Sequence, residues 1–250
     1  MPPFERTVFG MRYDAPLLSA VFRRREKRFS VLAHIVTPEG EEEVWCHCPN
    51  PGRLTSCLES PGTPLFLSVL PFNPKNPGGY RFRTEQSEPL PGVRVGINPN
   101  RANGLARDLL SGEVPDFASG WIHAGSEVPY GQRSRVDHLY RDEKGRPVYV
   151  EVKSVTYREG DRALFPDAVS ERAIRHLSDL VDQIREGDRA LLLFVVQRAD
   201  CRVVQPADLI HPAYGSELRK AVKNGLEVRA ASFFPDGEGL HYRGELEVVL

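Results

Sequence analysis

Cysteine is scarce in this chain: four in 250 residues, scattered as Cys46, Cys48, Cys57 and Cys201. That excludes a disulfide-built secreted domain, which would be shorter and denser in cysteine. Cys46 and Cys48 flank His47 but have no second pair at metal spacing, so zinc is not expected and the thiols read as small buried side chains. An excess of charge of one sign is also lacking, with 33 Lys and Arg against 34 Asp and Glu. The molecule as a whole is therefore no basic glove for a polyanion, and any nucleic-acid contact must use local patches. Long apolar runs are missing too. The longest, residues 190–196, is far too short to cross a bilayer. The start, Met1-Pro2-Pro3-Phe4-Glu5-Arg6, lacks the charged-then-apolar pattern of a secretory signal. These absences point to a cytoplasmic protein with no membrane partner.

What is there is an ordinary globular composition, 40% hydrophobic and 27% charged, enough to bury a core as one large or two modest domains. Pro, Asn and Gly crowd residues 71–79 and 88–92, and punctuation of that density marks loops or boundaries. The division drawn is 1–88 and 89–250. Before it, short strands are expected at 18–24, 29–36, 44–48, 65–69 and 80–85. Five such strands suit an OB-type β-barrel, an architecture that holds oligonucleotides or oligosaccharides. After it, strands alternate with helices. A helix is expected at 100–110, and another starts from an N-cap at Ser170 and stops at Gly187, with Ala173, Ile174, Leu177, Leu180, Val181 and Ile184 at helical spacing. A fully apolar strand follows at 190–196, then a helix at 216–222, a strand at 226–231 and an edge strand at 246–250. The fold class is α/β in this half, a mixed sheet covered on both faces, and α+β over the whole chain.

The sharpest signal is a hairpin, with strands expected at 134–140 and 147–153 and a turn at 143–146. If Lys144-Gly145 centres the turn, residues whose numbers add to about 288 face each other. Asp137 then lies opposite Glu151, Lys153 shares their face, and Val136, Val150 and Val152 point the other way into a core. Opposed carboxylates repel, and partial burial makes that costly without a cation or a shared proton. Mg²⁺ or Mn²⁺ resolves the conflict, being held by hard oxygen ligands and waters. Such an ion binds a phosphate oxygen and acidifies a water, while Lys153 orients that water or offsets the phosphate charge. The alternative is a solvated hairpin face on which Lys153 merely relieves the repulsion.

Longer strings narrow the choice. Ser134-Arg135-Val136-Asp137, Val150-Glu151-Val152-Lys153-Ser154-Val155-Thr156 and Phe165-Pro166-Asp167-Ala168-Val169-Ser170-Glu171-Arg172 resemble the sugar fermentation stimulation protein A (SfsA) family. So do His47-Cys48-Pro49-Asn50 with Gly52-Arg53, and Leu193-Phe194-Val195-Val196-Gln197-Arg198. The resemblance implies an N-terminal OB-type barrel, a C-terminal PD-(D/E)xK (restriction-endonuclease-like) domain, DNA binding, and a nuclease activity inferred from that fold. It carries the catalytic roles onto Asp137, Glu151 and Lys153, and the metal onto Asp137, Glu151 and Val152. Pro51 stands where the family has Thr, and Ala173 where Gly is expected. Pro51 removes a hydroxyl and an N–H donor from that turn.

Further nucleic-acid contacts are assigned to Asn50 and Arg53, on a loop after a strand, to Arg24 and Arg25 of the one basic cluster, to Arg135, and to Arg172 and His176, four apart on one helix face. The plain readings are a turn, a solvated strand edge and a polar helix start. Asp108 and Glu113 compete as a further acid. Trp45, Phe29 and Phe66 are expected in the barrel core rather than stacked on bases. Two functions remain: a metal-dependent nuclease acting on DNA or RNA, and a non-cleaving DNA-binding regulator linked to sugar metabolism. A sugar-binding barrel is a third.

Overall fold

The computed structural model describes residues 10–112, 115–131 and 134–250; Glu113 lies outside them. A short strand β1 (Gly10–Arg12) comes first. β2 (Leu18–Glu26), β3 (Ser30–Thr37), β4 (Gly40–His47), β5 (Pro64–Val69) and β6 (Phe82–Leu90) pair in the order β4-β3-β2-β5-β6. Parallel pairing of Cys46 with Phe82 and His47 with Arg83 closes β6 back onto β4. A closed five-stranded ring of this kind is the OB-type barrel. Alternation along the strands turns Ala20, Phe22, Val31, Ala33, Ile35, Val44, Cys46, Leu65 and Leu67 inward. All four cysteines are buried and free. None of the three aromatics expected in this core joins it: Trp45 and Phe29 are exposed, and Phe66, between the inward Leu65 and Leu67, is covered from outside by the Arg94 guanidinium. Trp45 lies between the inward Val44 and Cys46, and strand parity sends it out.

β7 (Val93–Gly96) pairs with β6 and leads into α1 (Asn100–Leu110), β8 (Ile122–Tyr130), β9 (Ser134–Arg141), β10 (Pro147–Val155), β11 (Arg158–Glu159), β12 (Arg162–Phe165), α2 (Glu171–Arg185), β13 (Arg189–Val196), β14 (Val203–Pro206), α3 (Pro212–Lys223), β15 (Glu227–Pro235) and β16 (Gly239–Val248). The large sheet runs β11-β12-β14-β16-β15-β13-β10-β9-β8, with β1 laid on β16. It is mixed: β13 is parallel to β10 and β15, whereas β9 and β10 are antiparallel. β13 is buried on both faces, as its unbroken apolar run requires. Leu192, Phe194 and Val196 face the core under α2 and α3, and Leu191, Leu193 and Val195 the core under α1. The Ser170 side chain caps α2 by accepting from the Ala173 N–H, and Gly187 follows its end at φ 100°, a conformation that favours glycine. Among the described residues no helix is long and apolar enough to cross a membrane.

The division drawn at residue 88 falls inside β6, and β1, from the N-terminal segment, belongs to the large sheet. Polar bonds weld barrel to sheet. Arg198 is wholly buried, yet its guanidinium is satisfied by Asp200, the Thr156 carbonyl and Ser56 Oγ. A buried cation demands such complete pairing.

Candidate metal and nucleic-acid site

β9 and β10 pair as the turn composition implies, from Pro147 with Arg141 to Val150 with His138. There the ladder ends. The next N–H on that edge of β10, from Val152, donates instead to Asp137 Oδ2 at 2.7 Å. Asn103 Nδ2, from α1, donates to Asp137 Oδ1 at 2.9 Å. A side chain thus does the work of a main-chain carbonyl and holds Asp137 in the fork between the strands. One expectation fails here. Val136 joins the core under α2, whereas Val150 and Val152 lie under α1, so β9 changes face as it leaves β10.

Glu151 is 2% exposed. Its Oε1 receives both Lys153 Nζ and His176 Nδ1. Its Oε2 is buried without a hydrogen-bond partner. Arg172 Nε donates to His176 Nε2 at 3.2 Å. An arginine Nε can only donate, so that imidazole nitrogen accepts and the proton sits on Nδ1, facing Glu151. Burial raises the proton affinity of Glu151, but hydrogen bonding from His176 and the charge of Lys153 more than reverse this and hold its carboxyl below the ordinary range. Asp137 goes the other way. Burial first, then the Glu151 charge, push its pKa up to about 6. Burial and the same charge also raise the phenols of Tyr130 and Tyr214, whose hydroxyls are buried and unpartnered.

The donor set fits a hard divalent cation. Among the described residues, no three His, Cys, Asp or Glu side chains cluster to hold a metal; the charged oxygen donors here are the two carboxylates of Asp137 and Glu151. Mg²⁺ accepts such sparse protein ligation because it keeps several waters. Glu151 Oε2 is buried without a hydrogen-bond partner and Asp137 has a raised proton affinity, the electrostatic conflict expected of two close carboxylates.

The remaining candidates divide. Arg53 is exposed. Arg24 is exposed but engaged, 5.2 Å over the Trp45 ring and bonded to Glu26. Arg135 is exposed, with Nη1 on the Glu127 carbonyl. Arg172 is exposed on α2 and spends its Nε on His176. Three assignments need correction. Asn50 is 6% exposed; its Nδ2 donates to the Ile97 carbonyl and its Oδ1 accepts the Gly52 N–H, so its amide builds the turn. Arg25 donates to the carbonyls of Arg28, Asn50, Gly52 and Arg53, so it scaffolds that loop and has little left for a phosphate. His176 is buried against Glu151 and presents no donor to a ligand. Asp108 pairs with Arg107 at the surface.

Sequence reasoning misses Asn103, which carries no pattern of its own. It also misses the contact between the two halves of the molecule: Asp167 Oδ2 accepts the Leu54 N–H and packs against Gly52, where a Cβ would come within 2.2 Å of it. Beside that contact runs a groove of about 170 Å³, lined by Asn50, Pro51 and Gly52 on one wall and Lys153, Ser154 and Thr156 on the other. The barrel loop therefore opens onto the strand that carries the site.

Known proteins match both halves of the chain. The model of the sugar fermentation stimulation protein RE domain matches residues 100–239, and that of the SfsA N-terminal OB domain matches residues 24–84. A sugar fermentation stimulation protein homolog from Pelobacter propionicus is 40% identical over 235 residues, covering 94% of this chain and 98% of its own. One from Thioalkalivibrio sulfidiphilus is 41% identical over 232 residues, covering 91% and 94%. The structure of Pyrococcus furiosus SfsA in complex with Ca²⁺ superposes with a TM-score of 0.85 at 28% identity, covering 98% of this chain and 100% of that one.

Proposed function

The chain belongs to the sugar fermentation stimulation protein (SfsA) family, and from that premise we propose that it is a metal-dependent nuclease cutting phosphodiester bonds of DNA or RNA at Asp137, Glu151 and Lys153. One observation carries the reading: a buried carboxylate, Glu151, keeps one oxygen unpartnered beside a second carboxylate whose proton affinity is raised, with a lysine two residues along the same strand.

Asp137, Glu151 and the carbonyl of Val152 are the donors. In a strand a residue's C=O leaves on the same edge as its N–H, and the Val152 N–H meets Asp137. The Pyrococcus furiosus relative was solved with Ca²⁺, which shares with Mg²⁺ a preference for oxygen ligands. A bound Mg²⁺ or Mn²⁺ would supply positive charge against the phosphate and acidify a coordinated water. The protein's own residues do the rest. Lys153 holds its ammonium at the site edge, where it orients the attacking water and offsets charge building on the phosphate oxygens. His176, fixed by Arg172, pins the Glu151 carboxylate in one rotamer, as outer-shell partners of metal ligands do. Asn103 and the Val152 N–H do the same for Asp137.

A DNA-binding regulator that keeps this fold without cutting is the second reading, favoured by the exposed cations of the barrel, which need no carboxylates to bind a phosphate backbone. Two neighbouring carboxylates, one of them fully buried, count against it, because a pure binder gains nothing from their repulsion. The discriminating assay incubates single-stranded DNA, duplex DNA and RNA with Mg²⁺ or Mn²⁺. The nuclease reading expects cleavage by the wild-type protein that drops at least about 100-fold in Lys153→Ala and in Glu151→Gln, the scale of losing an electrostatic catalytic group. Equal background rates for all three proteins on all three substrates would leave only the binder.

A further inference from the structure

Among the described residues five large aromatic side chains are exposed, and four of them, Phe29, Trp45, Phe72 and Tyr80, are on the barrel. Each exposed ring leaves apolar surface in water, and their concentration in one small domain points to a ligand that covers them. Three belong to one end of the barrel. The turn between β2 and β3, the segment leaving β4 and the loop between β5 and β6 meet there, because β3 starts where β4 ends and β6 starts beside both. A cavity of about 770 Å³ opens at this end, lined among others by His47, Phe72, Tyr80 and Arg81. Tyr80 is held in place. Its hydroxyl bonds to Ser30 Oγ, and its ring lies 5.7 Å from that of His47 at a 34° tilt. Phe72 is 77% exposed.

Charge marks the same end. Lys27, Arg28, Arg53 and Lys75 lie on these segments and none is ion-paired among the described residues; of the acids nearby, Glu26 is tied to Arg24, Glu59 accepts the Ser56 N–H, and Asp167 accepts the Leu54 N–H. Arg81 is the exception, reaching along the barrel to Glu42. At the opposite end the β3–β4 turn and the start of β4 carry Glu39, Glu41, Glu42 and Glu43, of which Glu42 and Glu43 pair with Arg81 and Arg23 and Glu41 meets His34. A chain with net charge −1 thus contains a polarised barrel. Its basic end carries the Asn50–Arg53 loop, which forms one wall of the groove reaching Lys153.

We propose that this end of the barrel is a binding platform for unpaired bases, and that it delivers single-stranded nucleic acid along the Asn50–Arg53 loop to Lys153. Base faces are covered in a duplex and open in a single strand, so rings such as Tyr80 and Phe72 can stack only on the latter. A groove of about 170 Å³ has no room for a double helix. Aromatic rings also stack on sugars, and OB-type barrels do hold oligosaccharides, but a neutral glycan has no use for four unpaired cations, whereas a phosphate backbone does. The inference rests on nucleic acid being the ligand, as proposed above, but not on its being cut.

The test is fluorescence anisotropy on the whole 250-residue chain in EDTA, with a labelled oligo-dT, a duplex of the same length, and maltoheptaose as a neutral competitor. Wild-type protein is expected to bind the single strand at least ten-fold tighter than the duplex. Phe72→Ala and Tyr80→Leu are each expected to weaken that binding about 5- to 100-fold, the range for loss of one stacking ring. Phe72 is too exposed for its loss to unfold the barrel, and thermal melting checks both variants. The duplex bound as tightly as the single strand, a double variant binding as the wild type does, or displacement of the strand by maltoheptaose would each overturn the platform. If the aromatic variants lose the strand while no condition yields cleavage, the platform stands and the nuclease reading falls.

Discussion

Asp137 Oδ2 accepts the Val152 main-chain N–H at 2.7 Å, at the point where the β9–β10 ladder ends. A neutral hydrogen-bonding side chain would end the ladder as well. The carboxylate instead brings a second negative charge to Glu151 in a partly dry site, and the energetics of the region follow from that choice.

Burial and Glu151 raise the Asp137 pKa from the ordinary 3.8 to about 6. A carboxyl whose folded pKa lies above its unfolded value favours the folded state when protonated. This group therefore costs almost nothing below about pH 4; its cost grows between about pH 4 and 6 and levels off at about 3 kcal/mol by neutral pH. Asp137→Asn should accordingly gain stability relative to wild type as pH goes from 4.5 to 7.5 in EDTA. Thermal melts of the pair across that range check the sign; a gap that stays constant with pH contradicts it.

His176 is expected to act through Glu151. Removing it by His176→Ala leaves Oε1 with Lys153 alone and should lower cation affinity and cleavage about 10- to 100-fold, as loss of an outer-shell partner does. His176→Gln, which can still donate to Oε1, should recover part of that loss. Isothermal titration with Mn²⁺ reads the first effect directly. Affinity unchanged in the alanine variant would reduce His176 to core packing.

Arg25 should behave as a structural residue. Its guanidinium ties the Asn50–Arg53 loop to the turn at Arg28 through main-chain carbonyls, and hydrogen bonds to a charged group contribute about 1.5–3 kcal/mol each. Arg25→Ala should lower the melting temperature by several degrees. Arg25→Lys should restore little, because an ammonium cannot span several carbonyls in a plane. Arg53→Ala should weaken oligonucleotide binding without moving the melt. The reverse pattern would exchange their roles.

Gly52 and Asp167 should be coupled. A Cβ at Gly52 would lie 2.2 Å from Asp167 Oδ2, so Gly52→Ala must push that carboxylate off the Leu54 N–H. The single variant is expected to cost about 1–2 kcal/mol, the scale of a lost buried hydrogen bond. Adding Asp167→Ala should cost less than the sum of the singles, and a double-mutant cycle measures the difference. Strict additivity would mean the two do not meet.

Much of the hairpin and of α2 is legible in the sequence because the signals are local. Gly145 at φ 76° and Asp142, which accepts the Lys144 and Arg146 N–H groups, make the turn that sets the hairpin register, and both are turn residues by type. Ser170 and Gly187 bound α2 by the same local chemistry. β8 is not legible: its exposed sequence, broken by Gly125 and Pro129, has no period to read. His176 stands out in the sequence, but its pairing with Arg172 suggests a ligand contact that the fold does not allow. It lies three residues from Ala173 and four from Leu180, so the helical spacing that buries them buries it. The residue type of Trp45 argues for the core, although strand parity with Val44 and Cys46 places it outside. Arg25 and Asn103 meet partners far along the chain, and no local pattern announces such contacts.

The central claim is that Asp137 and Glu151 share a divalent cation. A crystal of the protein soaked in Mn²⁺ and measured at the manganese absorption edge tests it most directly. The account predicts an anomalous peak within coordinating distance of Glu151 Oε2, an Asp137 oxygen and the Val152 carbonyl, absent from a Glu151→Gln crystal treated alike. No peak there in the wild-type crystal, with Lys153 and His176 still closed on Glu151, would contradict it.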